Sequence, residues 1–182
     1  MNARRLFAGV AVAATEEMRR ALAELQRQLR GERIRWTRLE KLHLTVEFFG
    51  FTEKERIPEL AAALAKAAAD ARPFPMSLGG LGMFRDLRHP RVLWMGVESE
   101  GLGRLHGCVQ ARLREAGWTP EARPFAPHLT LGRMERLRDT VEFQARVAAA
   151  CEWPAQVQTV GELILYESTE GRYVPVERWP LG

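Results

Sequence analysis

The chain has 182 residues, enough for one domain or two small joined halves, with 46% hydrophobic and 27% charged residues. That balance excludes a disordered tail, a collagen and a coiled coil, and no apolar run reaches the roughly 18 residues of a membrane span. The net charge of +4 comes from 27 basic and 23 acidic residues; 24 of the basic ones are Arg, the side chain that grips phosphate bidentately, although base composition explains most of that skew.

Taken in order, residues 5–13 read as a short apolar strand. A basic start followed by Leu6 to Ala14 also imitates a signal peptide with an Ala11-Val12-Ala13 cleavage site. Thr15 is the expected N-cap of a helix through Met18, Leu22, Leu25 and Leu29, with Gly31 as its C-cap. A strand over 42–49 ends at Gly50, and Thr52 caps a second helix through Leu60 and Leu64 to Asp70. A strand over 74–81 and a Gly- and Arg-rich loop close this half.

The second half repeats the order. Arg91-Val92-Leu93-Trp94-Met95-Gly96-Val97 answers Arg4-Arg5-Leu6-Phe7-Ala8-Gly9-Val10 position for position. A helix with Leu102, Leu105, Val109 and Leu113 ends at Gly117, a strand covers 129–131, a helix lies near 139–151 and a long strand near 157–166. Two β-α-β-α-β halves, about 1–89 and 90–182, packed about a pseudo-two-fold axis explain the pattern. The counterpart at 92–97 cannot be a signal, which favours a strand for residues 6–14 as well.

Two of the four histidines open the same tetrapeptide type, His43-Leu44-Thr45-Val46 and His128-Leu129-Thr130-Leu131, at equivalent places in the halves. On a strand, residues i and i+2 share a face, so each His neighbours its Thr while the apolar pair faces a helix layer. Two opposed imidazoles suit in-line displacement at phosphorus, one accepting a proton and the other giving one near neutral pH. Threonine hydroxyls and Arg can hold the non-bridging oxygens without a metal. A metal reading would use His43, His128 and Glu47, which a regular strand puts on the face of His43, but the second half has Gly132 in that place.

These residues resemble the 2H phosphoesterase superfamily and, within it, the bacterial and archaeal RNA 2′,3′-cyclic phosphodiesterases, also called 2′–5′ RNA ligases. The likeness runs from Arg5-Leu6-Phe7 through Trp36, His43 to Gly50, His89 to Trp94 and Phe125 to Arg133, to Tyr166-Glu167-Ser168. It implies an α+β fold: two antiparallel sheets forming a V-shaped cleft, with helices outside. It also implies metal-free hydrolysis of a 2′,3′-cyclic phosphate on RNA to a 2′-phosphate, with no cofactor. His43 would be the acid, His128 the base, and Thr45, Thr130 and Arg133 the phosphate ligands. Arg133 has the wrong parity for a regular strand, and a bulge at Gly132 is the expected remedy.

Phe48 holds in the first half the place of Arg133 in the second, and it could stack on a base; Trp36, among Arg33, Arg35 and Arg38, is a second candidate RNA contact, with a core role for each as the alternative. His89 reads as cleft rim, His106 as a surface or interhelical residue, and Cys108 and Cys151 as buried small hydrophobes. The expected partner is RNA with a cyclic phosphate end, including tRNA fragments, in the cytoplasm, with no membrane and no obligate protein partner. Reversible 2′–5′ ligation of tRNA halves, hydrolysis of a small cyclic nucleotide and a non-catalytic RNA-binding module are the competing readings.

Overall fold

Alternation of apolar residues builds the two central strands, and everything else is laid against them. The computed structural model describes residues 2–84, 90–150, 153, 155–169 and 171–182. Its elements are β1 (Ala3–Ala11), α1 (Glu16–Gln28), β2 (Arg33–Trp36), β3 (His43–Glu53), α2 (Ile57–Asp70), β4 (Phe74–Phe84), β5 (Val92–Glu98), α3 (Glu100–Glu115), β6 (His128–Arg136), α4 (Thr140–Ala149), β7 (Gln156–Val160), β8 (Glu162–Thr169) and β9 (Arg172–Pro180). They form two antiparallel sheets, ordered β3-β1-β8-β9 and β2-β6-β5-β4-β7.

Each sheet contains a strand that opens with one of the His/Thr tetrapeptides, then an apolar strand, then a third strand: β3-β1-β8 in one, β6-β5-β4 in the other. One face of each is buried. Leu6, Ala8, Val10, Leu44, Leu163 and Leu165 belong to the same core as Leu93, Met95, Leu129 and Leu131. Helix α2 packs on α3 and against β8 and β9, while α3 also touches β3 and β4. The opposite faces of the sheets line a cleft where β3 approaches β6. Among the described residues no helix is long and apolar enough to cross a membrane.

Local chemistry accounts for the helix ends. The Thr15 hydroxyl accepts from Met18 N at 3.2 Å, and Asp139 caps α4 through the amides of Val141 and Glu142 at 2.8 and 2.9 Å. Gly117 follows α3 with φ 74°, and the bonds Trp118 N to Leu113 O and Gly117 N to Arg114 O close a Schellman turn.

Several expectations are corrected. Helix α1 stops at Gln28 with Leu29 as its C-cap, and Gly31 only takes part in the following turn. Strand β3 runs past Gly50, whose φ of 66° permits a bulge, so Thr52 pairs with Arg4 in the sheet and caps nothing. Helix α2 starts instead at Ile57, with a proline in its first turn. The long strand near 157–166 breaks at Gly161: β7 joins one sheet and β8 the other. Strands β2 and β9 add to the predicted set. The first has four residues, and the second is an exposed edge strand, a place that tolerates its Pro175 and Pro180. Arg85, Arg88, His89 and Cys151 lie outside the described residues; Cys108 is half-buried on α3 against the core.

Gly9 faces Thr45 across the β1–β3 ladder, and a Cβ there would come within 2.6 Å of the Leu44 carbonyl oxygen. Backbone cannot yield as a side chain tip can. Gly9→Ala is expected to cost about 1–3 kcal/mol, read as a lower urea midpoint at unchanged m-value.

Candidate active site

Residues directly opposite one another in an antiparallel ladder share a face, so the register shows which side chains enter the cleft. In the first sheet Ala11, Gly9 and Phe7 stand opposite His43, Thr45 and Phe48. The register slips once between Ala8 and Gly9, leaving Val46 as the extra residue of a bulge. In the second sheet Gly96, Trp94 and Val92 stand opposite His128, Thr130 and Arg133, and the slip leaves Leu131 as the extra residue. Both bulges fall three residues after the histidine. Each turns the fifth residue after it, Phe48 or Arg133, onto the face of its His and Thr. The parity problem of Arg133 is therefore solved at Leu131 and not at Gly132, the expected place.

The same bulge turns Glu47 away. It stands opposite Ala8 on the buried face and is 3% exposed. Its Oε1 accepts a hydrogen bond from Glu121 N at 2.8 Å, and His106 Nε2 lies 3.6 Å from its Oε2. His106 stacks on Phe125, with ring centres 4.1 Å apart and planes 5° off parallel. Burial lowers its pKa, Glu47 opposes that shift, and Arg114 adds to it. His106 thus looks inward across the helix–sheet interface. Among the described residues no three His, Cys, Asp or Glu side chains gather in a way that could hold a metal ion.

Both cleft histidines are oriented by the same device. His43 Nδ1–H donates to the Lys41 carbonyl and His128 Nδ1–H to the Ala126 carbonyl, each at 2.8 Å and each two residues back. That tautomer leaves both Nε2 atoms free toward the cleft. The rings rest on apolar beds. His43 lies against Phe7 and Tyr173, each 4.8 Å away, and Tyr166 at 5.9 Å; His128 meets Phe84 edge-on at 4.5 Å. Burial pushes the pKa of His43 below its usual range, the Lys41 carbonyl opposes this, and the charges of His128 and Arg133 push the same way. His128 is likewise lowered by burial, with Ala126 opposing and Arg133 adding. His43, His128 and Arg133 are therefore within electrostatic reach of one another.

Neither Thr45 nor Thr130 commits its hydroxyl to another described residue, and Arg133 makes no ion pair among them. Arg35 stands opposite Arg133 in the β2–β6 ladder and so adds a second cation to this face. Trp36 stands opposite Gly132 on the other face and packs against the core, so it is not brought together with the histidines. A cavity of about 720 Å³ opens beside His43, lined among others by Arg38, Lys41, Tyr166, Tyr173 and Arg178. Sequence reasoning missed Phe7, Phe84 and Tyr173: Phe7 lay on a strand of unknown register, and Phe84 and Tyr173 lay beyond the predicted strands. Glu167 pairs with Arg4 and stands opposite Leu6, on the face away from the histidines.

Residues 9–172 match the profile of the 2′-5′ RNA ligase superfamily. An RNA 2′,3′-cyclic phosphodiesterase of Thermus thermophilus is 34% identical over 163 residues, covering 84% of this chain and 78% of that protein. One of Thermotoga maritima is 29% identical, covering 88% and 85%. One of Geobacillus stearothermophilus is 31% identical over 80% of this chain, which spans about half of that protein (47%). A crystal structure of a Thermus thermophilus protein superposes with a TM-score of 0.75 at 29% identity, covering 97% of both chains. E. coli LigT complexed with 3′-AMP gives 0.70 at 25% identity, covering 98% of both.

The buried Glu47 carboxyl ties β3 to the loop that delivers Ala126 and His128. Glu47→Ala is expected to cost about 1.5–3 kcal/mol in a urea titration, and Glu47→Gln, which keeps an acceptor for the Glu121 amide, clearly less.

Proposed function

We propose a function from the premise that the chain belongs to the 2′-5′ RNA ligase superfamily: it hydrolyses 2′,3′-cyclic phosphate ends of RNA to 2′-phosphates by two-histidine acid–base catalysis, without a metal. One observation carries this reading. Two histidines with the same carbonyl-fixed tautomer present free Nε2 atoms to one cleft whose other polar groups include Thr45, Thr130 and Arg133. The curated relatives, named RNA 2′,3′-cyclic phosphodiesterase, support the substrate class. RNA as substrate puts the work in the cytoplasm.

In this reaction His128 Nε2 takes a proton from water as the water oxygen bonds to phosphorus. The bond from phosphorus to the ribose 3′ oxygen breaks in line, and that oxygen receives the proton held on His43 Nε2. The phosphate stays on the 2′ oxygen. The Thr45 and Thr130 hydroxyls donate to the non-bridging oxygens, and the Arg133 guanidinium offsets the charge that gathers there. Metal independence is supported by the turn of Glu47 away from the cleft, which takes that carboxylate off the face of the histidines. The superfamily's name carries a second reading: a 5′-hydroxyl of RNA in place of water would run the same steps toward a 2′–5′ linkage.

The deciding assay uses an oligoribonucleotide ending in a 2′,3′-cyclic phosphate, with EDTA present. Conversion to the 2′-phosphate is expected to persist in EDTA and to fall by about 10²–10⁴ in His43→Ala and in His128→Ala separately. Full activity in either variant would sink the two-histidine mechanism, and loss in EDTA would sink metal independence. The pH profile gives an independent check. The productive state has one imidazole protonated and one neutral, and burial lowers both pKa values. As pH falls through the lower value the base is lost; as pH rises through the higher one the acid is lost. A bell in kcat/KM centred below about 6.5 is expected, since that quantity reports the free enzyme.

A further inference from the structure

Strand β3 is the edge of its sheet, and its second bulge has no role in the chemistry above. The register slips again between Leu6 and Phe7, leaving Phe49 as the extra residue beside Gly50. The result is that Phe51 stands opposite Arg5 on the cleft face, next in line after Phe48 opposite Phe7. Phe51 is 79% exposed and Phe48 40%. The Arg5 guanidinium lies 5.2 Å from the Phe48 ring centre, and Phe48 lies over Phe7, 5.9 Å away and 8° from parallel. Phe7 in turn touches His43. A line of rings, Phe7 and Phe48, thus leads out of the catalytic cleft, and the nearly bare Phe51 stands one step further, opposite Arg5. Arg5 makes no ion pair among the described residues.

The spacing is that of a polymer track. Along β1, Gly9, Phe7 and Arg5 mark the levels of Thr45, Phe48 and Phe51, two residues or roughly 7 Å per step. Unpaired bases bind proteins by stacking on such rings and on guanidinium planes. The other way out of the cleft, the cavity beside His43, has three of its four Lys and Arg side chains engaged, Arg19 being the exception. Lys41 donates to the Gly171 carbonyl, Arg178 bonds Glu162 at 2.7 Å and Arg38 lies 3.9 Å from Glu40.

Taking the base position at Phe48 as given, we propose that Phe51 and Arg5 extend it into a track for the single-stranded RNA upstream of the cyclic phosphate, with the preceding base on Phe51 and Arg5 at the phosphate between the two bases. The proposal rests on the phosphodiesterase reading and adds a direction and a length to it. The RNA leaves the cleft toward the start of β1, and two nucleotides are held where a mononucleotide fills one place.

The test compares a trinucleotide ending in a 2′,3′-cyclic phosphate with a mononucleoside 2′,3′-cyclic phosphate. Phe51→Ala, on an exposed side chain, is expected to lower the ratio of kcat/KM values, trinucleotide over mononucleoside, roughly 5- to 150-fold. Phe51→Trp should keep or raise that ratio. An unchanged ratio in Phe51→Ala overturns the track, as does a fall in Arg38→Ala with none in Phe51→Ala, which would put the RNA in the cavity. If the wild type hydrolyses neither substrate, the phosphodiesterase reading fails instead. Fluorescence anisotropy of a labelled trinucleotide with wild type and Phe51→Ala then still decides the track: weaker binding by the variant supports it, and equal binding overturns it.

Discussion

A β-strand shows its side chains to alternate faces, and this active site depends on breaking that rule once in each sheet, at the same place. Alternation brings His43 with Thr45 and His128 with Thr130. The bulges at Val46 and Leu131 then reverse the alternation, so that the fifth residue points in and the fourth points out. From one geometric event the chain obtains an inward Phe48 in one sheet and an inward Arg133 in the other. The outward positions differ for a steric reason. A side chain at Gly132 would meet Ile34 at 2.8 Å and Trp36 at 3.3 Å, because side chains of the neighbouring strand β2 crowd that face. The matching spot in the first sheet has room for Glu47, which reaches the Glu121 amide and so ties β3 to the loop before His128.

The surroundings of the two imidazoles differ more than their hydrogen bonds do. Beneath His43 lies a small hydrophobic cluster of its own, Phe7, Ile164 and Tyr166 with Tyr173 against it, separate from the main core. His128 has Phe84 on its edge. A dry bed disfavours the charged imidazole, and the shared carbonyl bond partly restores it, so the proton balance of the pair is set by packing as much as by charge.

Much of this was legible in the sequence. The two tetrapeptides, their spacing and the apolar residues between them define the face that carries the chemistry, because a period of two is a local property. The bulges were not legible in position, since a bulge exists only relative to a partner strand; parity exposed the problem at Arg133, and composition pointed to Gly132, one residue past the extra Leu131. Partner strands also explain Thr52, a good helix cap that pairs with Arg4 instead. Trp36 has the neighbours of an RNA contact, and only the β2–β6 register sends its ring to the core. Strand β9 is polar, proline-bearing and exposed, so no pattern marked it, although Tyr173 lies against His43.

The exchange of strands between the sheets governs when the molecule can first exist. Strand β1 is made long before β8, yet Leu6 to Gly9 pair with Ile164 to Glu167. A ribosome adding about 5–20 residues per second leaves roughly 10–30 s between the two. Through that interval the apolar run from Leu6 to Val12 has only β3 for a neighbour, and one of its edges is bare. The cleft takes final form only once β8 and β9 have emerged, after both histidines have been made.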